Sequence, residues 1–347
     1  MLLPLICLLL LRGSLPASSP AGAIASPKAA ESRARDFEVQ KIGEGVYAVI
    51  RTYPPGLMVD GNSAFIVGED DVIVVDAPES SREILAAIRK VTPKPVRYVI
   101  NTHWHDDHIT GNQVYRDAFP GVEIVGHAKT REYLPTTGAA NRQKMLEGAP
   151  KVVAHMRSLL QTNKSFTGSE LTPEERQSYE SDIALVDHYL KVVPQTRYLV
   201  PTLTVDDRLT LHRGGRAIEI RYLGRGHTSG DLVVSIPDQG IVMTGDLVVW
   251  PVPLVGSDQS HVGDWGQTLD RVVAMHPSTV VPGHGPVLRD DSYLRLMSRL
   301  FASVNEQTRA AVGRGETLQQ ARASVELDEL RKTFAGESRV RGFLFDT

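Results

Sequence analysis

From Phe37 the chain alternates short apolar runs with polar breaks. VYAVIRT, SAFIVG and DVIVVDAP are rich in β-branched residues and divided by Gly or Asp turns, a pattern that predicts successive strands. SSREILAAIRKV then carries its apolar residues at helical spacing behind a Ser-rich start that can cap it. VRYVINTH returns to a short apolar strand. Strands and helices in this order predict a layered α/β or α+β fold.

The rhythm breaks between residues 131 and 200. RQKMLEGAPKVVAHMRSLLQ and LTPEERQSYESDIALVDHYLKVV read as two helices set between strand-rich halves. The second has Thr172 as N-cap, Pro173 at the first helical position and Glu175 three residues after the cap. Packing accounts for such an insertion more readily than a lid beside an active site does. Strands resume in LTLHRGGRAIEIRYLG, a hairpin about Gly214-Gly215, and in DLVVSIPDQGIVMTGD, a hairpin about Asp238-Gln239-Gly240. STVVPGHG comes next, then a helical C-terminal region that includes TLQQARASV with Thr317 as cap.

Composition narrows the picture without changing it. With 347 residues, 41% of them hydrophobic, the chain can bury a full core. A net charge of -3 and the lack of any Lys/Arg run point away from nucleic acid. The opening MLLPLICLLLL suits the apolar segment of a signal peptide and is too short to span a bilayer. Ala23-Ile24-Ala25 offers a cleavage site before Ser26, although no positive residue precedes the apolar run. The expected organisation is a signal peptide over 1–25, a flexible linker over 26–36 and one domain over 37–347. That domain includes the helical insertion at 131–200 and the C-terminal helices at 290–347. The expected location is the periplasm or the medium, with no membrane attachment of the mature form. Cys7 is the only cysteine and lies in the apolar run, so a metal in the mature chain would be held by nitrogen and oxygen.

The chemistry is concentrated in NTHWHDDHITGN, where His103, His105, Asp106, Asp107 and His108 come directly after the strand VRYVI. His103 and His105 alternate with Trp104, so on leaving an extended strand both imidazoles point the same way. Three further candidates stand where an apolar strand ends in Gly beside a ligand-type side chain: His227 in GHTSGD, Asp246 in IVMTGD and His284 in VVPGHG.

HxHxDH, succeeded in order by GHTSGD, TGD and PGHG, resembles the metallo-β-lactamase superfamily from about Phe37 to Pro286. The resemblance implies an αββα four-layer sandwich of the α+β class with a dinuclear metal site at one edge. It implies a first metal on His103, His105 and His227, a second on Asp107, His108 and His284, and Asp246 as the bridge. Zn²⁺ is the expected ion, two per chain, although Fe or Mn would accept the same donors. A hydroxide shared by the two ions would be the nucleophile, oriented by Asp107 as the catalytic residue. Asp76, ending DVIVVD, stands where the family places an acid behind the ligands, and equally where a strand-end turn would place one. Asp106 has no role in the family pattern, and His127, His155, His188, His212, His261 and His276 are left as structural.

The expected activity is that of an exported zinc-dependent hydrolase of a small-molecule ester, thioester, lactone or amide. GLMVDGNSA near Met58–Ala64, the inserted helices, Tyr53 and Trp250 would wall its groove. True metallo-β-lactamases carry Cys or Ser near Asp246, which points away from lactams as the principal substrate. β-Lactam hydrolysis and a mononuclear iron persulfide dioxygenase are the alternatives. Oligomeric state is left open.

Overall fold

The computed structural model of the protein describes residues 37–52 and 60–347. The expected signal peptide and linker, Tyr53 and Met58 lie outside the described residues.

Among the described residues, twelve strands form two sheets. The first contains β1 (Phe37–Gly43), β2 (Val46–Arg51), β3 (Ser63–Val67), β4 (Val72–Val75), β5 (Val96–Ile100), β6 (Glu123–His127) and β7 (Leu203–Val205), in that spatial order. It is antiparallel through β4 and parallel from β4 to β7. The second runs β12 (Thr279–His284), β11 (Ile241–Val249), β10 (Leu232–Ile236), β9 (Arg216–Tyr222) and β8 (Arg208–Arg213), with β11 and β12 parallel. Both expected hairpins are present, β8–β9 around Gly214-Gly215 and β10–β11 around residues 237–240.

Side-chain alternation sets the layers. Ile73 and Val75 of β4 meet Leu232, Val234, Ile241 and Met243 of the second sheet in one core between the sheets. Val72 and Val74, on the opposite face, pack under α1 (Ser81–Val91) through Ile84, Leu85 and Ile88. On the far side, Val233 and Val242 pack against Trp265, Leu269 and Val272 of α7 (Val262–Val273) and Met297 and Phe301 of α8 (Ser292–Gly313). Strands buried on both faces and flanked by amphipathic helices give the expected αββα sandwich. Ser80, at the start of α1, makes no capping bond; its hydroxyl instead lies between Arg51 and Asp60, so the ion pair claims the side chain expected to cap the helix.

Two short helices, α2 (Asp106–Ile109) and α3 (Asn112–Ala118), come after β5. After β6 come α4 (Ala128–Tyr133), a wider turn over Leu134–Gly138, α5 (Ala139–Thr162) and α6 (Pro173–Val192). The helical segment therefore starts at Ala128, and its two long helices are those expected. Thr172 and Glu175 form the reciprocal cap at the start of α6. α5 and α6 bury Val152, Met156, Leu185 and Tyr189 in a core of their own. The chain closes with α9 (Leu318–Ser324), capped by Thr317, then α10 (Asp328–Ala335) and α11 (Arg339–Asp346). Among the described residues, no helix is long and apolar enough to cross a membrane.

Candidate metal centre

Four segments of the chain at one edge of the sandwich converge on seven buried side chains. His103, His105, His227 and Asp246 form one group and Asp107, His108 and His284 the other, the potential ligand atoms of each lying within 4.8 Å of one another. Asp246 spans the two: Oδ2 lies 3.3 Å from His227 Nε2 and 3.8 Å from His103 Nε2, while Oδ1 lies 3.1 Å from His108 Nε2 and 3.2 Å from His284 Nε2. His105 approaches through Nδ1, 2.9 Å from His227 Nε2, and Asp107 Oδ2 is 3.2 Å from His284 Nε2.

Two expectations about local geometry need correction. His103 and His105 do not leave an extended strand, because β5 ends at Ile100 and residues 102–104 form a bend. The bend is held by Asp76, whose carboxylate accepts from Thr102 N at 2.7 Å and Thr102 Oγ1 at 2.8 Å. The rings of His103 and His105 still converge, 4.7 Å apart and edge to face. Nor does Asp246 end its strand: β11 continues to Val249, and the pairing register with β12 shifts around Gly245, at φ +51°. That shift turns Asp246 toward the ligands from the middle of a strand. Gly283 leaves the space it occupies, since a Cβ there would stand 1.9 Å from Asp246 Oδ1.

Groups behind the ligands fix which nitrogen faces the centre. His108 Nδ1 pairs with Asp76 Oδ2 at 2.8 Å, and His227 Nδ1 donates to the Leu254 carbonyl at 3.2 Å, leaving both Nε2 atoms facing inward. Asp76 has φ +59°, so it is both the strand-end turn and the acid behind the site.

Electrostatics divides the histidines into two kinds. Burial depresses His103, His105 and His227, the last to about 4. Burial also works against the charged forms of His108 and His284, but the carboxylates of Asp246 and Asp107 outweigh it, raising His284 to about 9. Asp246 is fully buried, which alone would raise it; His284, His108 and His227 hold it well below the usual carboxylate range.

The donor set fits a pair of divalent ions. His103 Nε2, Asp107 Oδ2 and both oxygens of Asp246 are buried with no hydrogen-bond partner, a costly arrangement unless a cation satisfies them. Five imidazoles and two carboxylates, with no sulfur, suit borderline and harder divalent metals. His127, His155, His188, His212, His261 and His276 lie outside both groups. His127 caps α4 through Nδ1, and His261 Nε2 meets Ser229 Oγ at 2.7 Å.

Sequence reasoning missed several residues that hold this arrangement. Asp106 accepts from Nε and Nη2 of Arg142, each at 2.9 Å, and from Tyr189 Oη at 2.7 Å and Tyr198 Oη at 3.0 Å, tying α2 to the inserted helices. Asn62 accepts from Arg51 N and donates to the carbonyls of Pro282 and Gly285, clasping the loop that carries His284. Asp231 accepts from Gly226 N and from the amide and hydroxyl of Thr228, bracing the His227 loop. Only Asp231 left a signal, a carboxylate four residues beyond His227 within GHTSGD.

Two cavities adjoin the ligands. One of about 60 Å³ opens toward the inserted helices between Asp107, Asp106, Glu79 and Arg142. The other, about 270 Å³, lies between His284, Trp250 and Leu344. The inserted helices and Trp250 therefore do flank the centre.

A four-layer αββα sandwich with two ligand groups astride a buried carboxylate at its edge defines a candidate metalloprotein of the sandwich class. The model of the Metallo-beta-lactamase superfamily matches residues 58–284. The chain belongs to the metallo-beta-lactamase superfamily. It is 26% identical over 266 residues to a linear primary-alkylsulfatase of Pseudomonas sp., covering 73% of this chain and 47% of that protein. It is 34% identical over 90 residues to a metallo-beta-lactamase type 2 of Bacteroides fragilis, covering 25% of this chain and 36% of that one. The chain thus spans about half the length of the first relative and about a third of the second. Among solved structures, a metallo-beta-lactamase from Pontibacter korlensis superposes with a TM-score of 0.52 at 20% identity, over 77% of this chain and 99% of that one. At that identity the likeness concerns the fold.

Proposed function

We propose that the chain is an exported, zinc-dependent hydrolase that cleaves an ester, thioester, lactone or amide of a small molecule. The observation that carries this is Asp246, whose two carboxylate oxygens face the two ligand groups separately, so that one side chain could serve both. His103, His105 and His227 would hold the first ion, and Asp107, His108 and His284 the second. Zinc supplies Lewis acidity and acidifies water toward neutrality.

The protein's own groups do the rest. Asp107, 8% exposed, stands at the edge of the smaller cavity, where its carboxylate can accept a hydrogen bond from an attacking water and aim it at the scissile carbon. Asp76 and the Leu254 carbonyl hold His108 and His227 in one tautomer, so neither ring has to turn during the reaction. Trp104, Met145 and Tyr189 wall the smaller cavity and limit the water that reaches it. Export rests on the apolar run Met1–Leu11, and the partner proposed is a small-molecule substrate, with neither nucleic acid nor membrane engaged by the mature chain.

A second reading is β-lactam hydrolysis, favoured by the Bacteroides fragilis stretch and set against by Asp246. Zinc-loaded protein assayed on a chromogenic cephalosporin, a lactone and a thioester, with and without chelator, separates the two. Chelator-sensitive turnover of lactone or thioester with slow cephalosporin opening is the expected result. Fast cephalosporin opening would replace the first reading with the second. No chelator-sensitive turnover of any of them would remove both.

A further inference from the structure

The two cavities beside the ligands differ in size, and the larger carries a statement about substrate. That of about 60 Å³ is bordered by Glu79, Asp106, Asp107 and Arg142. That of about 270 Å³ is bordered by Ile50, Trp250, Val252, Pro253 and Leu344, with His284 at its inner end. The charged side chain on its wall, Arg51, is committed to Asp60 at 2.6 Å. We infer that this second cavity receives an apolar chain of the substrate, so that the enzyme prefers esters bearing a medium-length alkyl or acyl group. The inference rests on the hydrolase reading above and adds the substrate class.

Three observations support it. First, the wall is fastened to the ligands at both ends: Trp250 N donates to the His284 carbonyl at 3.0 Å, and the Leu254 carbonyl takes His227 Nδ1 at 3.2 Å. Residues 250–254 are thus a fixed strap between one ligand of each group, and a chain lying along it is held in register with the reacting bond.

Second, the outer wall is fixed too. Leu344 belongs to α11, which is anchored to α6 by Ser338 on Glu174 at 2.8 Å and by Arg339 on Glu175 at 3.0 Å. Arg341 lies 5.0 Å over the Trp250 ring. The cavity is therefore a built feature of the packing and not a gap left by a loose terminus.

Third, its size selects a length. On the scale at which an apolar cavity of about 150 Å³ accepts a six-carbon ring, this one accommodates roughly ten carbons. A large apolar space opening onto buried polar ligands gains nothing from water and gains from an alkyl chain.

The test uses the full chain loaded with zinc. p-Nitrophenyl acetate, butyrate, hexanoate, octanoate and decanoate form one arm; n-alkyl sulfates of the same lengths, monitored by released sulfate, form the other and distinguish the acid from which the chain hangs. The expected result is a rise in kcat/KM of up to roughly fourfold per added methylene, levelling near the decanoate. Leu344→Trp and, independently, Leu254→Trp should lower the octanoate-to-acetate ratio by about tenfold or more, because the added ring takes the space of the chain. A readout free of catalysis is Trp250 fluorescence titrated with 1-octanol, expected to respond in the parent and not in Leu344→Trp, with Trp250→Phe identifying the emitter. Turnover with a flat length dependence and no octanol response would overturn the cavity assignment and leave the hydrolase reading standing. An octanol response without turnover in either arm would keep the apolar site and remove the ester-hydrolase reading.

Discussion

Asp106 sits between two candidate ligands, His105 and Asp107, yet its own side chain turns away from them to Arg142, Tyr189 and Tyr198. Asp106→Ala would leave the Arg142 guanidinium, stacked 3.6 Å over Tyr198, without its counter-ion. Removing one member of a buried ion pair costs roughly 3 to 5 kcal/mol. The side chains retain 9% exposure at Arg142 and 17% at Asp106, so water reaches both and the lower bound, about 3 kcal/mol, applies. With an unfolding entropy near 2.1 cal/mol/K per residue over about 300 residues, this lowers Tm by about 5 °C. The assay is thermal unfolding monitored by circular dichroism at one fixed metal content, for Asp106→Ala, Arg142→Met and the pair. The double variant removes both charges and should lose less than the two single losses combined, by at least about 0.5 kcal/mol. Single variants within about 1 °C of the parent, or losses that simply add, would refute the coupling.

Asp76→Asn should weaken zinc affinity by roughly tenfold to a hundredfold, measured by chelator competition, since it disturbs the tautomer of His108; unchanged affinity would deny it that role. Gly283→Ala places a methyl 1.9 Å from Asp246 Oδ1 and should sharply reduce bound metal by elemental analysis. Gly313→Ala, with nothing within 4 Å of the added carbon, should not, and equal metal contents would refute the argument. Burial raises Asp231 from 3.8 to about 7 against the donors from Thr228 and Gly226. A raised folded-state pKa contributes stability fully present below about 4 and lost as pH rises through about 7, on the order of 4 kcal/mol over the window. The Tm difference between parent and Asp231→Asn should therefore shift against the parent from pH 4 to 7; a constant difference would show that the carboxyl stays ionised throughout.

The parts of this molecule legible in its sequence were those written by local spacing. The reciprocal cap of Thr172 and Glu175 depends on neighbours three apart, and the hairpin at Gly214-Gly215 on two adjacent residues that accept positive φ. The ligands were legible because a metal demands His and Asp wherever they fall in the chain, and each stood beside a short apolar run. What spacing could not show was the framework behind them. Asp106 finds Arg142, Tyr189 and Tyr198 at separations of 36, 83 and 92 residues, and Asn62 finds Pro282 at 220. Ser80 reads as a cap until the Arg51–Asp60 pair, on another segment, claims its hydroxyl. Asp246 reads as a strand end because the shift at Gly245 exists only in the pairing with β12.

The ligands come from both halves of the sandwich: His103, His105, Asp107 and His108 come after β5 of the first sheet, whereas His227, Asp246 and His284 belong to the second. Ions held there would rivet the two leaves together at one end of the seam. Stripped of them, that end keeps a knot of buried imidazoles and carboxylates where the rest of the seam has Val, Ile and Leu. Catalyst and clasp would be the same atoms, so a chelator that silences the enzyme would also loosen the hinge of the book.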